Sequence, residues 1–180
     1  MNSLHLNRWL TSLLLLTMVV GLLFTGTACK PPPPTIVTDI RISPTAKTVA
    51  PGETFTLDVI VEPAQGHTIA GIQFDLSFNS TLVTVDSVTE GTVFNQGCNS
   101  TFFRGGTIDN EEGTITAVVC VVTEPGCAVT SSGTVATINF TAGTGTGSSV
   151  IGLNNTKVGN AAGKGCSSAD YGGNVEVSPP

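Results

Sequence analysis

The sequence predicts an all-β fold, a two-sheet β-sandwich of about nine short strands, on three observations. From Thr35 onward, apolar and polar residues alternate with a period of two in run after run. Clusters of Gly, Pro, Asn and Ser separate the runs, and no stretch keeps a helical period for long. Successive side chains of a strand point to opposite faces, so such alternation buries one face and wets the other. Two sheets packed through their buried faces satisfy all the runs at once.

The elements follow in order. A first strand spans Ile36 to Ile42, and the Pro51-Gly52 turn then leads into Thr54 to Val61, where Phe55, Leu57, Val59 and Val61 share a face. Gly71 to Phe78 repeats the pattern with Ile72, Phe74, Leu76 and Phe78 inward. Leu82 to Val88 and Thr107 to Asn110 come next, and the turn Asn110 to Gly113 delivers the chain to Thr114 to Val122. In Thr134 to Thr141 the residues Ala136, Ile138 and Phe140 face in while Thr137, Asn139 and Thr141 face out. Gly143 to Gly147 is a flexible connection to Ser149 to Leu153, and Asn174 to Val177 closes the set. Gly, Pro and Asn mark these joints because they supply the φ values that turns need.

The first 28 residues read as a signal peptide: His5 and Arg8 precede an apolar run from Leu10 to Phe24 that ends in small residues before Cys29. The run falls short of the roughly 20 residues that a spanning helix needs. The stretch Thr25-Gly26-Thr27-Ala28-Cys29 resembles a lipobox, with Gly26 standing where an aliphatic residue is usual. The resemblance implies cleavage before Cys29 and a lipid on its sulfur, which would anchor the protein to the membrane at the cell surface. Ordinary cleavage nearby, leaving Cys29 a free thiol, is the alternative. Residues 29–35 then form a linker. Its run Pro31 to Pro34 adopts polyproline II, a stiff stalk below a domain spanning residues 36–180.

Five cysteines are an odd number, and giving Cys29 to a lipid leaves Cys98, Cys120, Cys127 and Cys166 as an even set. Outside the cytoplasm four cysteines allow up to two disulfides, in three connectivities among which the sequence does not choose. Zinc is the competing reading of those cysteines, but none is paired at CxxC spacing and His67 is the only histidine after the leader.

Charge and motifs exclude several functions. Once Arg8 leaves with the leader, six basic residues face thirteen acidic ones, a surface that repels nucleic acid. A Ser/His/Asp triad has only His67 to draw on, in the turn Gln65-Gly66-His67, and the chain has no nucleophile elbow, HExxH or phosphate-cradling loop. The acids Asp109, Glu111 and Glu112 could be read as a glycosidase pair or part of a calcium loop, but adjacent acids in a hairpin turn are ordinarily solvated, and the later bidentate acid of an EF-hand is missing. The reading is a non-enzyme with no catalytic residue, no metal site and no cofactor of its own. Carbohydrate binding usually stacks sugars on flat aromatics. Trp9 leaves with the leader and Tyr171 is the one tyrosine, although Phe102 and Phe103 remain, in what reads as a loop. Asn79, Asn99, Asn139 and Asn154 stand in N-x-[ST] sequons.

Several blocks, in their order and spacing, resemble the cohesin domains of cellulosome scaffolds and related prokaryotic surface proteins. They are Val49 to Phe55, Ile69 to Asn79, Leu82 to Val88, Gly91 to Phe94, Gly113 to Thr116 and Ser132 to Phe140. Where cohesins usually read Tyr-Asp-Pro this chain has Phe78-Asn79-Ser80. The resemblance implies a nine-stranded jelly roll that binds a dockerin, a small module with calcium loops, so that proteins of polysaccharide breakdown or other partners assemble at the cell surface. Calcium would enter with the partner. It also implies that the partner lies on the sheet of the third, fifth, sixth and eighth strands, with Gln73, Asp75, Ser77, Thr107, Asp109, Thr114, Thr116 and Val118 facing it. In that jelly-roll order, the four cysteines fall near one end of the sandwich. A carbohydrate-binding or purely structural surface lipoprotein is the other reading of the same chain.

Overall fold

Twelve strands in two sheets carry the chain in the computed structural model, which describes residues 37–179. The expected leader, the expected lipid site at Cys29 and the expected stalk of Pro31 to Pro34 lie outside the described residues, as does Ile36. The strands are β1 (Thr38–Ser43), β2 (Ala46–Val49), β3 (Thr54–Glu62), β4 (Gly71–Ser77), β5 (Val83–Glu90), β6 (Thr101–Asp109), β7 (Thr114–Val122), β8 (Gly133–Ala142), β9 (Gly147–Gly159), β10 (Gly165–Cys166), β11 (Ser168–Tyr171) and β12 (Gly173–Val177). One sheet has the order β11-β1-β3-β8-β5; the other runs β2-β12-β9-β4-β7-β6, with β10 paired to β9.

The core forms where the alternation places it. Phe55, Leu57, Val59 and Val61 of β3 and Ile138 and Phe140 of the neighbouring β8 share one buried cluster with Ile72, Phe74 and Leu76 of β4 in the opposite sheet. Phe140 stacks on Phe55 at 5.3 Å between ring centres and receives the edge of Phe78 at 5.9 Å. Full burial of each such side chain contributes about 1.5–3 kcal/mol, and paired rings add about 1 kcal/mol.

Twelve strands replace the expected nine because β2, β10 and β11 are not written in side-chain alternation. They are two to four residues long and gain their strand character from backbone pairing, β2 parallel to β12 and β11 parallel to β1. Strand β6 also begins six residues before the expected Thr107, because Gly105 and the left-handed Gly106 (φ 80°) interrupt its alternation without ending its pairing to β7. Phe102 and Phe103 therefore belong to a strand and not to a loop.

Of the up to two disulfides expected, one forms among the described residues. Cys98 and Cys127 are bonded, with Cα atoms 6.0 Å apart, while Cys120 and Cys166 are free. The sheet register explains why the second pair stays open. Cys120 stands opposite Ile72, Ile72 opposite Val158, and Val158 opposite Cys166, so three strand spacings of about 4.8 Å separate the two thiols. A disulfide spans at most about 7 Å between Cα atoms.

Candidate functional site

The outer faces of the two sheets differ in what their side chains do. On the five-stranded sheet the polar groups satisfy each other: Arg41 pairs with Glu62, Thr141 donates to Asp86 at 2.7 Å, and Asn139 donates to Ser87 at 2.9 Å. On the other sheet the strip β9-β4-β7-β6 is built in rungs. Gly159, Gly71, Val121 and Phe102 form one rung across the four strands, and Lys157, Gln73, Val119 and Arg104 form the next. Farther along come Ser77 between Gly152 and Thr114, with Asp109 beside Thr114.

Between these halves sits Asp75, which holds two bulges. The non-glycine residues with left-handed backbone among those described are Ala117 (φ 56°) on β7 and Asn155 (φ 51°) on β9, one on each side of it. Asp75 accepts the Ala117 N–H on Oδ1 at 2.7 Å and the Asn155 amide on Oδ2 at 2.6 Å. A bulge sets two residues against one and shifts the alternation beyond it. On β7 the shift is visible in the register, where Phe74 faces Val118 but Leu76 faces Ile115.

That bulge overturns one expectation. Val118 is fully buried and points into the core, so it cannot face a partner; Val119 and Val121 take the outward positions. The other residues read from the sequence lie on the outer face, but with different freedom. Thr107 and Thr116 are exposed, and Gln73 and Thr114 are half-buried. Ser77 accepts the Asn154 amide at 3.1 Å, and Asp109 Oδ1 caps the turn by accepting the N–H groups of Glu111 and Glu112 at 3.0 Å each.

The sequence reading missed the half of the face that carries a groove. A depression of about 530 Å³ opens over Gly71, Gln73, Val119, Val121 and Lys157, walled by the loops of residues 123–127 and 160–165. The disulfide ties the first wall down at Cys127, and Asn160 braces the second by accepting the N–H groups of Ala162 and Lys164 at 3.0 Å. Just beyond the groove Phe102 is 53% exposed, while Phe103 turns inward against the core. The pair Phe102-Phe103 before Arg104 was the available signal, since alternation puts one of two adjacent aromatics outside.

Acid–base and metal chemistry find little here. His67 is an exposed turn residue. Cys98, Glu124 and Cys127 bring their ligand atoms within 4.8 Å of one another, but both sulfurs are bonded to each other and Glu124 accepts the Asn99 N–H at 2.7 Å. The Cys120 thiol is pushed up to about 12 by burial and, secondarily, by Glu90, which also accepts its hydrogen bond at 3.7 Å. A thiol held neutral is a poor nucleophile and a poor ligand.

Residues 40–169 match the model of the cohesin domain. The chain belongs to the cohesin family. Solved cohesins share its fold at low identity. A cohesin–dockerin complex of Clostridium thermocellum (OlpC) superimposes with a TM-score of 0.65 at 14% identity, over 80% of this chain and 95% of that one. The cohesin CaCohA2 of Clostridium acetobutylicum, solved with a dockerin, gives 0.62 at 18% identity, over 79% and 100%. A non-cellulosomal cohesin of the archaeon Archaeoglobus fulgidus gives 0.58 at 16% identity, over 79% and 91%. Comparison with curated protein sequences returns no significant match.

Proposed function

We propose that this cohesin is a non-catalytic module that captures a dockerin-bearing protein on the outer face of β9, β4, β7 and β6. The observation that carries the reading is the contrast between the two outer faces. One sheet spends its polar groups internally, whereas the other offers Gln73, Val119, Val121, Thr107 and Thr116 beside an open groove. Several of the solved relatives are complexes with dockerins. A sheet face of this kind can supply the roughly 800 Å² per partner that a stable interface buries.

The partner brings its own calcium, and this chain contributes no cofactor. The leader and Cys29 support a place outside the cell, with a lipid at Cys29 as the anchor and the Pro31 to Pro34 stalk as a spacer. The two exposed aromatics among the described residues, Phe102 and Tyr171, lie on different sheets and cannot act as one stacking platform, which weighs against sugar as the ligand.

The test is titration of the mature protein with purified dockerin modules by calorimetry, with and without a calcium chelator. Binding in calcium that disappears with chelator is expected. Failure of every dockerin of the same organism, together with retention on a polysaccharide column, would overturn the reading. Labelling with a fatty-acid analogue, lost in Cys29→Ser, tests the anchor.

A further inference from the structure

Resting on that reading and going beyond it, we propose that the partner seats a helix in the groove, with an apolar ridge bordered on both sides by carboxylates. Arg104 and Lys157 are the specificity-determining cations that recognise them. The protein is acidic, with thirteen acidic and seven basic residues. Among the described residues the only ion pair is Arg41 with Glu62, on the far sheet. Arg104 and Lys157 are thus exposed cations without a carboxylate partner, and both stand on the one face with the groove.

Their positions are set by the sheet. Lys157 and Arg104 end the rung that runs through Gln73 and Val119, so three strand spacings, about 14 Å, separate their backbones. A helix with its side chains is about 10–12 Å across and fits between them along the strand direction. The floor under it is low and apolar. Gly71 and Gly159 lie in the next rung, where a Cβ on Gly71 would come within 2.7 Å of the Val121 side chain, and Val119 and Val121 supply the contact surface. Lys164 stands in the loop of residues 160–165 beside the Lys157 rim.

The nearby acids form no ion pair with these cations. Both oxygens of Asp75 are engaged by Ala117 and Asn155, Asp109 caps its own turn, and Glu124 is held by Asn99. A helix bearing acids on both flanks of its ridge is attracted at this strip and repelled by the acidic remainder of the surface, which fixes its placement as well as its affinity.

The experiment uses the mature protein and a set of purified, calcium-loaded dockerin modules. Those that bind the wild type are measured again by surface plasmon resonance against Arg104→Glu, Lys157→Glu and the double variant. The neutral pair Arg104→Gln with Lys157→Gln keeps the test open if a reversal misfolds, and Lys47→Glu on β2 is the distant control. The expected result is a loss of about tenfold or more in affinity for the double reversal, mostly in the association rate and shrinking at high salt, with Lys47→Glu unchanged. Exchange of the flanking acids of the bound dockerin for lysine should restore binding to the double reversal. Equal binding by wild type and both double variants would overturn the inference and leave the dockerin reading intact. No binding by any dockerin would remove both. Retention of wild type, but not the double reversal, on polygalacturonate with no dockerin bound would reassign the cations to an acidic polysaccharide.

Discussion

The carboxylate of Asp75 accepts the backbone N–H of Ala117 at 2.7 Å, and so the central strand that the sequence offers as partner-contacting is also the strand that fixes its neighbour's shape. The same carboxylate takes the Asn155 amide on the opposite side. Hydrogen bonds to an ionised acceptor contribute about 1.5–3 kcal/mol, less where water competes, and Asp75 is only half-buried. Asp75→Ala should cost about 1–3 kcal/mol in urea unfolding, and Asp75→Asn less, because an amide oxygen can still accept from Ala117. If Asp75→Ala unfolds at the wild-type midpoint while losing partner binding, the carboxylate is a contact and not a brace.

The bulge at Ala117 separates two adjacent valines by role. Val118 is in the core and Val119 is on the groove floor. Val118→Ala removes buried methyl groups and leaves a cavity, a loss of about 2 kcal/mol in stability. Val119→Ala should leave the unfolding midpoint nearly unchanged and weaken partner binding. Denaturation and binding curves on the two variants decide the matter: the opposite assignment of effects would restore unbroken alternation along β7.

The disulfide closes a loop of 29 residues and secures one wall of the groove. Chain entropy alone gives a crosslink of that length about 3.5 kcal/mol. Cys98→Ser with Cys127→Ser should lower stability by about 2–4 kcal/mol and weaken binding of a groove ligand more than of one contacting only Thr107, Thr114 and Thr116. Differential scanning calorimetry with and without reductant gives the first quantity, and an unchanged melting temperature after reduction would contradict it.

Much of this fold was legible because large apolar residues alternate without interruption in β3 and β4, and in β8 from Ala136 onward, where each second residue must be buried. The short strands β2, β10 and β11 were not: partners far off in sequence make β2 and β11 strands, and β10 is only the two residues that turn back on the end of β9. The site was half legible for a related reason. Gln73, Thr107, Thr114 and Thr116 follow simple alternation, but Ala117 adopts a backbone conformation that nothing in its side chain announces, and the inversion it causes hid Val119 and Val121. Asn155 is milder, as asparagine tolerates that region better than most residues. Likewise Gly105 and Gly106 read as a break, so the Phe102 and Arg104 end of β6 went unseen.

The two free thiols should behave differently because of where they sit. Cys166 is half-buried, whereas Cys120 lies between Ile72 and Phe103 in the register and donates to Glu90. Burial, then the charge of Glu90, raises the Cys120 thiol from its ordinary 9.0 to about 12. Below pH 9 the thiol is neutral folded or unfolded and costs nothing. Between about 9 and 12 the unfolded chain ionises while the folded one does not, so the unfolded state binds fewer protons and stability falls as pH rises. Cys120→Ala should therefore flatten part of the stability decline above pH 9 when unfolding is compared with the wild type at each pH. At pH 8 in the Cys29→Ser background, iodoacetamide should label Cys166 promptly and Cys120 only at the rate of unfolding. Prompt labelling of both thiols in the folded protein would place Cys120 at the surface.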